Sequence, residues 1–210
     1  MKRILIADDH AIVRKGLKET LEEELGEVTF GEASTGQEVL EQVWHGKWDL
    51  VLLDIGMEGR SGLEALEEIQ KARPKLPVII ISMYPEGEFG ARALKAGAAG
   101  YLNKQSAPEE LVIAVTKVFA GGQYITPALA ECLAAQLRRN AERAPHETLS
   151  NRELEVMRLI ATGKSLKEIA DHLSISVKTV GTYHTRLLEK MGMKSDVDLT
   201  RYALLNKLVS

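Results

Sequence analysis

Three carboxylates stand at the ends of two short apolar runs in this chain of 210 residues. Asp8 and Asp9 directly follow the first run, and Asp54 follows the run DLVLL. Crowded carboxylates raise one another's pKa unless a cation neutralises them. A cluster of carboxylate oxygens suits Mg²⁺, with Mn²⁺ as the alternative ion. These residues therefore predict a divalent-cation site, provided that the fold brings the two runs together.

Two further polar side chains follow later apolar runs. Ser82 ends the run PVIII, and Lys104 comes shortly after GYL. A metal, a carboxylate, a hydroxyl and an ammonium together suit a carboxylate that accepts a phosphoryl group. The metal and Lys104 would offset the developing charge, and Ser82 would bond a phosphoryl oxygen. Each residue alone is open to interpretation as an ordinary loop residue, but the set of five favours the functional interpretation.

The elements that must position these side chains alternate regularly. Over the first 120 or so residues, five short β-rich runs each precede an amphipathic helical stretch. Continuous apolar strands separated by helices are typical of a parallel sheet covered on both faces. The carboxyl ends of such strands form the binding edge. If the first and third strands are neighbours, the carboxylates meet there; the sequence does not give the strand order.

The rest of the chain does not continue this alternation of strands and helices. Gly121 and Gly122 break the preceding helix, Thr126 and Pro127 suit the start of a linker helix, and a polar tether follows. Beyond it the pattern is helical, with the capping boxes SNRE and SLKE. Four short helices are expected. The predicted domains are 1–122, a linker of residues 123–147, and 148–210.

Composition supports two domains with different partners. The net charge of −3 divides into 17 Lys and Arg against 23 Asp and Glu through Glu147, and 10 against 7 thereafter. No apolar run has the length of a membrane span or of a secretory signal, so we expect a cytoplasmic protein without a membrane partner. Cys132 is the only cysteine, which excludes an internal disulfide.

A helix-turn-helix is predicted in KEIADHL-SIS-VKTVGTYHTRLLEKM. In that motif the second helix enters the major groove of DNA. Val180, Tyr183, Leu187 and Met191 share one face and should pack inward. The residues expected at the DNA are Lys178, Thr179, Gly181, Thr182, Thr185 and Arg186. Periodicity alone leaves equally open a small helical bundle whose polar residues face solvent.

The two parts of the chain resemble known domain families. ADDHAIVRKGL and ALKAGAAGYLNK resemble the receiver domains of NarL/FixJ response regulators. LSNRELEVMRLIATGKS, KEIADHLSIS, KTV and EKMG resemble a LuxR-type DNA-binding domain. The resemblance implies an α/β receiver with a flavodoxin-like parallel sheet in the order 2-1-3-4-5, followed by an all-α four-helix helix-turn-helix domain.

The resemblance also implies roles. Asp8, Asp9 and Asp54 would form the acidic pocket, in which Asp54 is phosphorylated by a sensor histidine kinase. Mg²⁺ would be held there, with Gly56 contributing its backbone carbonyl. Lys104 would bind the phosphoryl group. The switch pair would be Ser82 and Tyr101, and the protein would act as a homodimer on DNA.

Some residues depart from the family pattern. Met57-Glu58-Gly59 stands where Met-Pro-Gly is frequent, and Gly56 supplies no side chain. Gly181 stands where lysine is common. Two other functions stay open: a metal-dependent phosphohydrolase and a phosphorylation-independent DNA-binding regulator. The hydrolases usually carry a second acid two residues after the nucleophile, where this chain has Gly56.

Overall fold

The computed structural model of the chain describes residues 1–57, 62–106, 108–138 and 144–209. It divides into two compact units, residues 1–134 and 135–210. Among the described residues, none of the helices combines the length and the apolar character needed to cross a membrane. Glu58, which replaces the frequent proline of the family pattern, lies outside the described residues.

The first unit is built on a five-stranded parallel sheet in the order β2-β1-β3-β4-β5. Its strands are β1 Lys2–Ala7, β2 Val28–Ala33, β3 Leu50–Asp54, β4 Val78–Ser82 and β5 Gly100–Asn103. Every residue of β3 and β4 is buried, as expected for central strands with helices on both faces. The predicted fold class and strand order are confirmed.

Helices follow the strands in turn. They are α1 Ala11–Leu25, α2 Gly36–His45, α3 Gly62–Ala72, α4 Glu86–Lys95 and α5 Pro108–Phe119. Each turns its apolar stripe to the sheet; in α5, for example, Leu111 and Val115 pack with Ile4 and Leu102 in one buried cluster. The packed sheet fixes the strand ends, where the predicted site residues lie.

The helix α6, Pro127–Arg138, begins where the linker helix was predicted. Its residues up to 134 group with the first unit. The segment before it is held on the sheet edge, because the Tyr124 amide donates to Ala99 O at 2.8 Å. The predicted domain limits 1–122, 123–147 and 148–210 stay predictions.

The second unit is helical. After a short 3-10 helix, Pro145–Thr148, come α7 Asn151–Ala161, α8 Leu166–His172, α9 Val177–Met191 and α10 Asp196–Leu205. Both predicted capping boxes are present. The last helix, α10, is capped by Ser195, whose hydroxyl accepts from the Asp198 amide, and Asp196 is already helical. The 3-10 helix occupies part of the predicted tether. Its His146 is buried, and His146 Nδ1 lies 2.7 Å from the Tyr202 hydroxyl.

Candidate functional site

The carboxyl edge of the sheet gathers the predicted acidic residues. Asp8 follows β1, Asp54 ends β3 and Ser82 ends β4, and these three strands are neighbours. The three side chains are almost entirely buried, with 1%, 4% and 1% of each residue exposed. Sequence reasoning left open whether the first and third strands are adjacent; their pairing, Ala7 against Leu53, brings the carboxylates together.

Lys104 joins two of these carboxylates. Its Nζ lies 2.7 Å from Asp8 Oδ2 and 2.7 Å from Asp54 Oδ2. Burial raises the pKa of the Asp54 carboxyl, and the nearby Lys104 ammonium only partly opposes this. Burial alone would lower the pKa of Lys104, but the charge of Asp54 and hydrogen bonds to both carboxylates outweigh it, and the pKa is raised. Lys104 is therefore held in its charged form.

Asp9 supplies an oxygen without a hydrogen-bond partner. Its Oδ1 is buried and lies 2.5 Å from His10 Nδ1, a close polar contact that lacks hydrogen-bond geometry. Asp8, Asp9 and His10 each offer a ligand atom within 4.8 Å of one another. Carboxylate oxygens gathered in this way are what a hard divalent cation binds, so the residues present fit Mg²⁺. Sequence reasoning missed His10, although it directly follows the acidic pair.

Gly56 lies against Asp54. Its amide donates to Asp54 Oδ1 at 3.1 Å. A Cβ at this position would lie 3.6 Å from Asp54 Oδ2, so a side chain here would border the carboxylate directly.

Ser82 and Tyr101 meet at one backbone unit, that of Tyr84. Ser82 Oγ accepts from the Tyr84 amide at 3.1 Å, and the Tyr101 hydroxyl donates to the Tyr84 carbonyl at 2.8 Å. Tyr101 is fully buried. The side chains of the predicted switch pair thus hold the loop between β4 and α4. Sequence reasoning did not identify Tyr84, because a backbone partner leaves no signal in residue type.

In the second unit, α9 separates its two faces as predicted. Val180, Leu187 and Met191 are buried, and Tyr183 is half-buried. Gly181 is half-buried, and the other residues expected at DNA are exposed: Lys178, Thr179, Thr182, Thr185 and Arg186. The helix therefore presents a polar face to solvent.

Known families match both units. Residues 4–116 match the family described as "Response regulator receiver domain", and residues 147–203 match "Bacterial regulatory proteins, luxR family". The chain is 36% identical over 205 residues to the response regulator UvrY of Escherichia coli K12, which covers 97% of this chain and 94% of that protein. It is also 36% identical over 210 residues to the response regulator GacA of Pseudomonas aeruginosa PAO1, over 100% of this chain and 98% of that protein.

The chain is a NarL/FixJ-family response regulator. It joins the receiver and the LuxR-type helix-turn-helix domain of a two-component system. Members of this family are transcriptional regulators and not enzymes, so the response regulator described here is not a phosphohydrolase.

A solved structure with the same two-domain fold is that of RcsB from Salmonella enterica serovar Typhimurium, bound to the promoter P1flhDC in the presence of the phosphomimetic BeF₃⁻. It has a TM-score of 0.68 and 26% identity, covering 99% of this chain and 98% of the RcsB chain. In the present response regulator, Asp8, Asp54, Ser82 and Lys104 lie together at one edge of the sheet, while the roles assigned to them stay predictions.

Proposed function

We propose that this response regulator accepts a phosphoryl group on Asp54 from a sensor histidine kinase and thereby changes its binding to promoter DNA as a homodimer. The observation that carries the proposal is the buried Asp54 carboxylate 2.7 Å from the Lys104 ammonium, which also lies 2.7 Å from Asp8. That combination provides a nucleophile, a fixed cation and a further carboxylate that can bind a second cation.

In the transfer, an Asp54 carboxylate oxygen attacks the phosphorus of a phosphohistidine. The new P–O bond forms while the P–N bond breaks, and the histidine nitrogen keeps the electron pair. Lys104 bonds the arriving phosphoryl oxygens, and Ser82, which ends the neighbouring strand, donates its hydroxyl to another. Asp8, Asp9, Asp54 and the Gly56 carbonyl would hold Mg²⁺, which would supply positive charge to offset that of the phosphoryl group.

The loop held by Ser82 and Tyr101 would transmit the event. A phosphoryl oxygen that accepts from the Ser82 hydroxyl would rotate Ser82 Oγ away from the Tyr84 amide, whose hydrogen bond it accepts at present. The loop then has two arrangements, and phosphorylation shifts the population between them.

For DNA, we propose that α9 lies in the major groove. Lys178 and Arg186 suit phosphate or guanine, and Thr179, Thr182 and Thr185 can reach base edges or phosphates. The positions of these residues on the exposed face support this, as does the promoter-bound RcsB of similar fold. Two copies on DNA would favour paired half-sites related by symmetry.

Phosphorylation is tested with acetyl phosphate and Mg²⁺. Wild-type protein should gain an acid-labile phosphoryl group, and Asp54→Asn should not. Label that persists in the variant would refute Asp54 as the acceptor. Light scattering and DNA binding, with and without beryllofluoride, test the switch; identical mass and affinity in both states would instead favour a phosphorylation-independent regulator.

A further inference from the structure

Within the first unit, the helix α6 lies on α4 through a close fit over two glycines. Leu129 of α6 is fully buried, and a Cβ added to Gly90 of α4 would lie 2.8 Å from its Cδ1. A Cβ added to Gly87 would lie 3.3 Å from the Cys132 sulfur. Glycine weakens a helix interior, so its presence at Gly90 in the middle of α4 fits the need for close approach to Leu129. The contact tolerates little displacement.

A buried hydrogen bond adds to this fit. The Thr126 hydroxyl donates to the carboxylate of Glu86, the first residue of α4, and accepts from the Leu129 amide at 3.1 Å. Only 5% of Thr126 is exposed. The start of α4 and the start of α6 are therefore tied through one hydroxyl.

The start of α4 is also joined to the switch pair. The Tyr84 backbone is held by Ser82 and by Tyr101, as described above. The Tyr84 ring lies 4.8 Å from the ring of Phe89, which is buried in α4 directly before Gly90. A displacement of the Tyr84 loop therefore reaches both contacts of α6, at Glu86 and at Gly90.

We propose that the docking of α6 on α4 depends on whether Asp54 is phosphorylated. The two helices pack tightly in the unmodified receiver, and this packing loosens on phosphorylation. The inference rests on the proposed phosphorylation of Asp54. When Ser82 turns to a phosphoryl oxygen, the Tyr84 loop moves, and Glu86 shifts from Thr126. The segment ahead of α6 stays anchored, because the Tyr124 hydroxyl donates to Glu110 at 2.8 Å. The helix then pivots at its amino-terminal end.

Cys132 gives a direct readout, since it is the only cysteine of the chain and is half-buried beside Gly87. The rate of its reaction with Ellman's reagent is measured on the full chain, with Mg²⁺ alone and with Mg²⁺ and beryllofluoride. Allosteric couplings commonly amount to about 5–150-fold, so we expect labelling to accelerate about fivefold or more. An unchanged or slower rate would overturn the proposal.

A second series uses acetyl phosphate, with phosphoprotein quantified on phosphate-affinity gels. A phosphoryl group on Asp54 with unchanged labelling of Cys132 overturns this inference and leaves the proposed function intact. If Asp54 gains no phosphoryl group, the proposed function fails and the switch fails with it. Asp54→Asn should label at the slow rate under both conditions.

Docking itself is tested without phosphate. Gly90→Ala pushes a methyl group against Leu129 and should give fast labelling of Cys132 in the unmodified protein. Gly16→Ala in α1 is the matched control, because its methyl group meets no atom within 4 Å, and it should label as slowly as wild type. Thr126→Val, which removes the bond to Glu86, serves if thermal melting shows that Gly90→Ala does not fold. Slow labelling in a folded variant overturns the proposed docking.

Discussion

Replacing Lys104 by methionine is the most direct test of the electrostatics of the receiver site. The lysine ammonium is the shared partner of Asp8 and Asp54, at 2.7 Å from each. The side chains are only 10%, 2% and 5% exposed, so water cannot replace the lost cation. Methionine keeps the volume and the apolar stem, and the change isolates the charge.

The magnitude follows from burial. Removing one member of a buried ion pair costs about 3–5 kcal/mol, because the remaining charge stays uncompensated. Two carboxylates are left here, and the cost should lie toward the upper part of that range at neutral pH. A typical domain is stable by about 5–15 kcal/mol, so the receiver would lose a large part of its stability. Lys104→Met with Asp54→Asn should recover much of the loss, because one buried charge is removed.

Urea unfolding followed by tryptophan fluorescence measures this, since Trp44 and Trp48, the two tryptophans of the chain, both lie in the first unit. The loss in Lys104→Met should shrink at acid pH, where protonation of Asp54, whose pKa is raised, relieves the unpaired charge. Mg²⁺ should also restore stability by binding the folded form. Two results would refute the reasoning. One is a loss in the free energy of unfolding below about 1 kcal/mol, which is what an exposed ion pair contributes. The other is an equal loss when Lys104→Met is made in the Asp54→Asn background.

Three further predictions concern the second unit. Gly181→Ala should raise the free energy of unfolding by about 0.5–1 kcal/mol, since the added methyl group meets no atom within 4 Å; no gain in urea unfolding followed by circular dichroism would show that the site is not an unstrained helix interior. Burial raises the pKa of Glu153, but hydrogen bonds from Lys190 and the helix cap outweigh it, and the pKa is lowered. The ionised Glu153 therefore stabilises the fold above the ordinary glutamate pKa, and this stabilisation is lost as the pH falls through the lowered pKa. In Glu153→Gln the free energy of unfolding should fall less steeply with acid than in the wild type. Equal dependence of the free energy of unfolding on pH in the two proteins would contradict this. Tyr202→Phe removes the hydroxyl 2.7 Å from His146 and should cost about 1 kcal/mol or slightly more in the same assay, with an unchanged midpoint as the contrary result.

The sequence predicted the parts of the receiver that depend on local pattern. Apolar runs mark the strands, and polar residues at their ends mark the binding edge, so Asp54, Ser82 and Lys104 could be named before their distances were known. Adjacency of the strands could not be obtained from the residues themselves, because pairing is a long-range property of the sheet. It came from the resemblance to the family, and the structure agrees.

Other features depend on three-dimensional packing or on backbone hydrogen bonds, which leave no pattern in the residue types. Gly90 is an ordinary helix glycine in sequence, and only the position of Leu129 over it shows that close approach is needed. The role of Tyr84 rests on its amide and carbonyl. The helix cap shows the same limit: Ser195 and Asp196 are both suitable N-caps, and the choice between them depends on where the packed helix begins.

Charge explains why the site would need a cation before it reacts. With His10 neutral, Asp8, Asp9 and Asp54 carry three negative charges against the single positive charge of Lys104, a local excess of two. Burial removes water from the Asp54 carboxyl and raises its pKa, and the charge of Asp8 acts in the same direction. A divalent cation would bring the cluster to neutrality and lower the cost of bringing in a dianionic phosphoryl group. The same burial that favours the protonated form of Asp54 would thus make its ionised, nucleophilic form depend on a bound cation, and phosphorylation would then require Mg²⁺ because of the fold itself.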